Sequence, residues 1–155
     1  MPARGRKKIM NTNQTLPPSG LASPSCSPSF YTASKTSHAP KWRQLRARGH
    51  NIIATWIDEA DEGQSADYAD LAERCIVEAA AADVTILYCQ PGEILKGALL
   101  EVGAALAAGK EVRCVGDCES ISRVFRKHPR WIECKSLDAS LANVQSIRAA
   151  RDSEN

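Results

Sequence analysis

Residues 82–115 read ADVTILYCQPGEILKGALLEVGAALAAGKEVRCV, and this stretch decides the fold. Two short apolar runs at 84–89 and 112–115 are rich in β-branched residues, which indicates buried strands. Between them, 98–108 is apolar on almost every side and is followed by Gly109, which predicts a helix that is packed on most of its faces. Strand, helix and strand in this order predict two parallel strands joined by a right-handed crossover.

The same alternation continues on both sides of this stretch. Upstream we predict a strand at 30–34, a helix at 38–48, a strand at 51–57, an acidic loop at 58–64 and a helix at 66–82. Downstream we predict a helix at 120–127, a short strand at 131–134 and a closing helix at 137–151. The sequence therefore predicts a Rossmann-like or flavodoxin-like α/β fold, an open parallel sheet of four to five strands with helices on both faces.

The chain length of 155 residues suits a single domain. Residues 1–29 begin with a basic cluster and continue rich in Pro, Ser, Thr and Asn, so we expect a disordered tail there, a domain at 30–151 and a short tail at 152–155. Outside the basic cluster the chain carries 16 Lys and Arg against 18 Asp and Glu. That balance gives no electrostatic reason to expect a nucleic-acid partner.

The six cysteines are expected to be reduced, because several lie in apolar runs and no secretory leader pattern is seen. A cytoplasmic protein follows as the expectation. No apolar stretch approaches the ~20 residues that a membrane-spanning helix needs. Neither a GxGxxG nor a GxxxxGK[ST] motif follows any predicted strand, and Cys114 and Cys118 lack a second pair of metal ligands, so no cofactor and no metal are expected.

Glu101 is the only charged residue between Gly97 and Gly109. A buried, unpaired carboxylate costs several kcal/mol, so two interpretations remain open. The side chain either caps backbone N–H groups in the first helical turn or points into a polar cleft. In open parallel sheets, ligands bind beyond the carboxyl ends of the strands, which nominates 34–38, 56–61, 89–96 and 116–119 as cleft segments.

Three segments together resemble the nucleoside 2-deoxyribosyltransferase superfamily: FYTAS at 30–34, ADV at 82–84 and GALLEVGAALAAGK at 97–110. The superfamily includes transferases that exchange bases on deoxynucleosides and hydrolases that cleave the N-glycosidic bond of nucleoside monophosphates. The resemblance spans about 30–115, and its most specific element is the pattern G-x-x-x-E-x-G-x-A-x-x-x-G-K after the third predicted strand. It implies a small-molecule nucleoside or nucleotide as the substrate and a homo-oligomer, with a homodimer expected.

The resemblance also implies roles for particular residues. Glu101 matches the glutamate that attacks the anomeric carbon and forms a covalent glycosyl intermediate. Tyr31 matches a tyrosine of the first strand whose hydroxyl holds that carboxylate, although an ordinary strand aromatic remains the alternative. Many members carry an aspartate eight residues before the Asp of the third strand, where this chain has Cys75.

A thiol is a poor substitute for an acid that works near neutrality. We therefore expect another carboxyl group to protonate the leaving base, with Asp58 favoured over Glu59, Asp61 and Glu78. Cys75 also leaves open a second function, a non-catalytic module on the same fold that senses nucleotides.

The remaining expectations concern substrate binding. The Trp56 indole is expected either to stack on a nucleobase or to belong to the core. Ser34 and His38 lie at the predicted amino end of a helix, a natural site for a 5′-phosphate. The other positions expected to bind substrate are Cys75, Gly92, Glu93 and Gly97.

Overall fold

The computed structural model describes residues 27–60 and 66–142. Four parallel strands form one sheet in the order β1-β2-β3-β4, namely β1 Phe30–Ala33, β2 Val84–Tyr88, β3 Glu111–Val115 and β4 Trp131–Cys134. The α-helices are α1 Ala39–Ala47, α2 Tyr68–Ala81, α3 Gly97–Ala107 and α4 Leu137–Leu141. The predicted α/β class and the parallel sheet are confirmed. Most of the predicted tail and the closing helix beyond residue 142 lie outside the described residues.

The predicted strand at 51–57 is wrong. Only Ile52 pairs with the sheet, through a single parallel bridge to Phe30, and Thr55–Asp58 then forms a 3₁₀ helix. The apolar run is buried as predicted. Hydrogen bonds from side chains, however, connect it to the sheet and satisfy one of its backbone carbonyl groups. The indole of Trp56 donates to the Thr32 carbonyl at 2.8 Å, and Arg43 donates to the Ile57 carbonyl at 2.6 Å. Burial without a ladder of hydrogen bonds explains why an apolar pattern misled the prediction.

The predicted helix at 120–127 is also wrong, because only Phe125–Lys127 is helical and it is a 3₁₀ turn. Val124 and Phe125 are 76% and 58% exposed, and of the apolar residues in the segment only Ile121 packs partly against the core, so most of its apolar surface is not buried. Arg126 instead fixes the segment by donating to the Cys118 carbonyl at 2.7 Å. A short helix without tertiary packing has little to stabilise it.

The strand order reverses between β1 and β2. Ile52 bridges the outer edge of β1, while the chain continues to β2 on the other edge and then to β3 and β4. The spatial order is therefore that of a flavodoxin-like sheet, with the second segment beside the first. In such sheets the crevice for ligands lies where the order reverses, at the carboxyl ends of β1 and β2.

Helices cover both faces of the sheet, because side chains alternate along each strand. On one face, Thr85 donates to the Ala79 carbonyl in α2 at 3.4 Å. On the other face, the ring of Tyr88 lies 5.8 Å from that of Trp42 in α1, and Arg113 donates to the carbonyl of Ser140 in α4 at 2.6 Å. None of the helices within the described ranges is both long and apolar enough to cross a membrane.

Candidate active site

A cavity of about 280 Å³ opens at the point where the strand order reverses. It lies between the turn that follows β1, the segment that leads into α3, and the facing sides of α2 and α3. Its lining residues are Ser34, Lys35, Thr36, Trp56, Leu71, Cys75, Ile94, Leu95, Lys96, Gly97, Ala98 and Glu101. The cavity therefore lies where the rule for parallel sheets expects a ligand.

Glu101 reaches this cavity from the second turn of α3. The helix begins at Gly97, and its first turn contains no acidic residue, so Glu101 is not a capping residue. Ala98, Val102 and Ala105 are the buried residues of the helix, and Ala98 and Ala105, three residues before and four residues after Glu101, lie on the same helix face as Glu101. Of the two interpretations that the sequence left open, the structure selects the carboxylate that points into a cleft.

The environment of Glu101 raises its pKa to about 7. Burial is the main cause, because a poorly solvated site disfavours the charged form. The Tyr31 hydroxyl and the Cys75 thiol favour the carboxylate and offset part of the rise, while the negative charge of Glu78 adds to it. The carboxyl group therefore titrates near neutral pH, which is a common property of catalytic groups.

Tyr31 lies behind Glu101 on β1, with none of its surface exposed. Its hydroxyl makes no hydrogen bond of ordinary length and angle with any described residue. Burial and the charge of Glu101 raise the pKa of the phenol well above its usual value, so it stays protonated. The hydroxyl is thus an available donor beside the carboxylate.

Cys75 completes this group from α2, one helical turn after Leu71. Burial is the largest cause of a raised pKa for its thiol, and the charge of Glu101 adds to the effect. The thiol therefore remains neutral at physiological pH and is a weak proton donor.

Asp58 is not part of the cavity lining. Both its oxygens accept from the guanidinium of Arg46, one of them at 3.0 Å, and these hydrogen bonds hold the pKa of the carboxyl group below its usual value. Glu78 accepts from the Thr55 hydroxyl at 2.6 Å. Glu59 pairs with Arg74. The alternative Asp61 lies outside the described residues.

The other predicted substrate-binding residues fall into two groups. Ser34, Trp56, Cys75 and Gly97 line the cavity, whereas His38, Gly92 and Glu93 do not. Trp56 is also part of the core, with 7% of its surface exposed.

Six further residues line the cavity, namely Thr36, Leu71, Ile94, Leu95, Lys96 and Ala98. The sequence predicted 34–38 and 89–96 as cleft segments, which contain Thr36, Ile94, Leu95 and Lys96, but it assigned no individual role to any of the six. Lys96 carried a usable signal, because it ends the loop between a strand and the helix of Glu101. Leu71 carried one too, because it lies one turn before Cys75 on the same helix.

No group of three or more His, Cys, Asp or Glu side chains is arranged to hold a metal ion in the part of the chain that the structure describes. The five cysteines described there are free.

Comparison with solved structures bears on the fold. A 2-deoxyribosyltransferase from the psychrotolerant bacterium Bacillus psychrosaccharolyticus superposes with a TM-score of 0.57 at 18% identity, covering 77% of this chain and 95% of that one. The chain has the fold of a 2-deoxyribosyltransferase. A CMP N-glycosidase from Clostridium botulinum gives a TM-score of 0.45 at 18% identity, with 79% of this chain and 98% of that chain covered. Neither a protein-family model nor a curated protein sequence matches the chain.

Proposed function

We propose that this protein cleaves or exchanges the N-glycosidic bond of a nucleoside or nucleotide, with the carboxylate of Glu101 as the nucleophile. The observation that carries the proposal is a partly buried carboxyl group that lines the cavity, with the Tyr31 hydroxyl beside it as an available donor. The fold shared with a 2-deoxyribosyltransferase supports the same chemistry. That fold alone does not imply function, so the proposal depends on the site.

The proposed reaction has two steps. One carboxylate oxygen of Glu101 attacks the anomeric carbon while the bond to the base nitrogen breaks, through an oxocarbenium-like transition state. The product is an ester between the sugar and Glu101. Water or a second base then attacks the same carbon and releases the carboxylate. The Tyr31 hydroxyl donates to the carboxylate oxygen that does not attack and so orients the nucleophile.

The departing base requires a proton. Glu101 is the only carboxyl group among the described residues that line the cavity, and Asp58 is held by Arg46. The Cys75 thiol is a weak acid with a raised pKa. We therefore propose that water at the cavity mouth delivers this proton, in place of the aspartate that the sequence resemblance led us to expect.

The charge at the cavity mouth favours a nucleotide over a nucleoside. Lys35 and Lys96 both line the cavity, from the turn after β1 and from the segment before α3, and both are exposed. Two ammonium groups near one opening attract an anionic substituent such as a 5′-phosphate. The hydroxyls of Ser34 and Thr36 supply further polar contacts on the same wall.

A specific observation favours a second candidate function, a module that binds nucleotides without cleaving them. Cys75 stands where many relatives of the resembled family carry an acid, and Asp58 is committed to an ion pair with Arg46. Such a module would keep the cavity and its lysines without a complete set of acid and base groups.

An assay of base release separates the two candidates. The protein is incubated with deoxynucleosides, ribonucleosides and their 5′-monophosphates, and free base is measured by chromatography. We expect wild type to release base and Glu101→Gln to be slower by about a thousandfold or more, as loss of a nucleophile generally causes. The exposed Glu119→Gln, outside the cavity lining, is the matched control and should keep the wild-type rate.

A trapped reaction tests the nucleophile directly. With a slowly hydrolysed 2-fluoro sugar analogue, mass spectrometry should find the sugar attached to the peptide that contains Glu101. If wild type releases no base, while nucleotides bind wild type and Glu101→Gln equally well, the enzymatic proposal is overturned in favour of the binding module.

A further inference from the structure

His38 and Glu93 join the two loops that form the mouth of the cavity. The Nε2 atom of His38 lies 2.9 Å and 3.1 Å from the two carboxylate oxygens of Glu93. The side chains are only 10% and 14% exposed, so the pair is largely shielded from water. His38 belongs to the turn after β1 and Glu93 to the loop after β2. The hydrogen bonds between them therefore connect two segments that are 55 residues apart in the chain.

On one side of this link, Glu93 fixes the loop that leads into α3. Its carboxylate accepts from the backbone N–H of Gln90 at 2.8 Å, and its own N–H donates to the Gln90 carbonyl at 3.1 Å. Gly92 has a φ of 78° within this turn, a conformation that favours glycine. The Cys89 thiol also donates to the Glu93 carbonyl at 3.7 Å. Ile94, the residue directly after Glu93, is the first residue of this loop that lines the cavity. The turn therefore fixes the position at which this wall of the cavity begins.

On the other side, His38 is held by its neighbours. Its ring packs in a T-shaped arrangement against that of Tyr88 with the centroids 4.9 Å apart, and the Tyr88 hydroxyl accepts from Lys41 at 2.7 Å. The backbone N–H of His38 donates to the carbonyl of Lys35 at 3.0 Å, and Lys35 lines the cavity. A displacement of His38 would therefore be transmitted to Lys35.

We propose that His38 and Glu93 are a positioning pair, which sets the separation of the two walls of the cavity mouth and does not itself bind substrate. The pair fixes Lys35 on one wall relative to Lys96 on the other. It should thus act on substrate binding through the lysines, while Glu101 on α3 and Tyr31 on β1 keep their geometry. The kinetic part of this inference rests on the proposed function, and the structural part does not.

Two substitutions of His38 separate its hydrogen bond from its packing. His38→Phe keeps a ring against Tyr88 and removes the donor, whereas His38→Gln keeps a donor of similar reach. Hydrogen exchange of the amides at 90–97 should be about tenfold faster in His38→Phe, because loss of a hydrogen bond to a charged group favours local opening of this loop. His38→Gln should restore most of the protection. Arg126→Gln, which removes a loop contact outside the cavity, should leave these amides unchanged.

Two further readouts test the role of the pair in the cavity. Alkylation of Cys75 by a small maleimide, measured by peptide mass, should be several-fold faster in His38→Phe. In the base-release assay, KM should rise about tenfold while kcat changes less than twofold.

Unchanged exchange at 90–97 in His38→Phe would overturn the proposal, and so would an equal acceleration at every amide of the chain. If exchange and alkylation respond as expected but wild type releases no base, the pair stands and the proposed function fails.

Discussion

The pH dependence of stability gives a direct test of the buried state of Glu101. The perturbation is Glu101→Gln, which replaces the carboxyl group by a neutral amide of nearly the same shape. If the carboxylate is poorly solvated in the folded chain, ionisation must destabilise the wild-type protein, and the amide must escape that penalty. The variant should therefore be the more stable protein at alkaline pH.

The magnitude follows from the pKa of the folded state. Glu101 has a pKa of about 7 in the folded chain against an ordinary value of 4.5. Between these values the folded state binds more protons than the unfolded state, so wild-type stability falls as pH rises. At about 1.4 kcal/mol per pH unit, the accumulated loss is about 3 kcal/mol above pH 7. Glu101→Gln should be about 3 kcal/mol more stable than wild type at pH 8 and nearly equal to it at pH 4.5.

The assay is urea unfolding of both proteins at several pH values, with a reducing agent present for the free thiols. Glu119→Gln controls for the loss of one carboxylate from an exposed position and should follow wild type within about 0.5 kcal/mol at each pH. A difference between wild type and Glu101→Gln that does not change with pH would refute the reasoning, because it would mean that the carboxylate is as well solvated folded as unfolded.

Two further predictions concern a pair of glycines and Tyr31. A Cβ atom at Gly116 would lie 1.9 Å from the carbonyl oxygen of Cys89, and φ there is 92°, so Gly116→Ala should destabilise the protein by about 2 kcal/mol or more in urea unfolding. Gly103→Ala, in the interior of α3 with no atom near the added carbon, should instead stabilise by about 0.5–1 kcal/mol, and equal effects would contradict this account. Tyr31→Phe removes a group that favours the charged form of Glu101. In a Tyr31→Phe background, the pH at which Glu101→Gln becomes the more stable protein should therefore move upward. A downward shift would count against a contact between Tyr31 and Glu101.

Much of the fold could be predicted from local patterns. The buried strands β2 and β3 and the helix between them follow from apolar runs and from the glycine that ends the helix. The run at 51–57 was wrongly predicted as a strand, because a buried strand and any other buried segment have the same apolar pattern. Whether the run forms the hydrogen bonds of a strand depends on how it lies against β1. The helix predicted at 120–127 is wrong for a different reason, because Val124 and Phe125 are exposed and only Ile121 packs partly against the core.

The site was predictable in part. Glu101 and Tyr31 could be named from the sequence because one is a lone charge in an apolar helix and the other matches a strand motif. The structure places both beside one cavity with Cys75. The general acid could not be assigned in this way. Asp58 was expected from its position after an apolar run, yet it pairs with Arg46, a residue that nothing in the local pattern connects to it.

The sequence by itself determined the four strands of the sheet and the helices α1 to α3, the edge of the sheet at which the cavity opens, and the identity of the unusual carboxyl group. These properties depend on the order of side chains over a few helical turns or a few residues of a strand, so a short stretch of sequence is enough to predict them. Only the tertiary structure decided that His38 pairs with Glu93, that Asp58 pairs with Arg46, and that Glu101 titrates near neutrality. Partner choice and solvation depend on distances between residues far apart in the chain, and folding alone sets those distances.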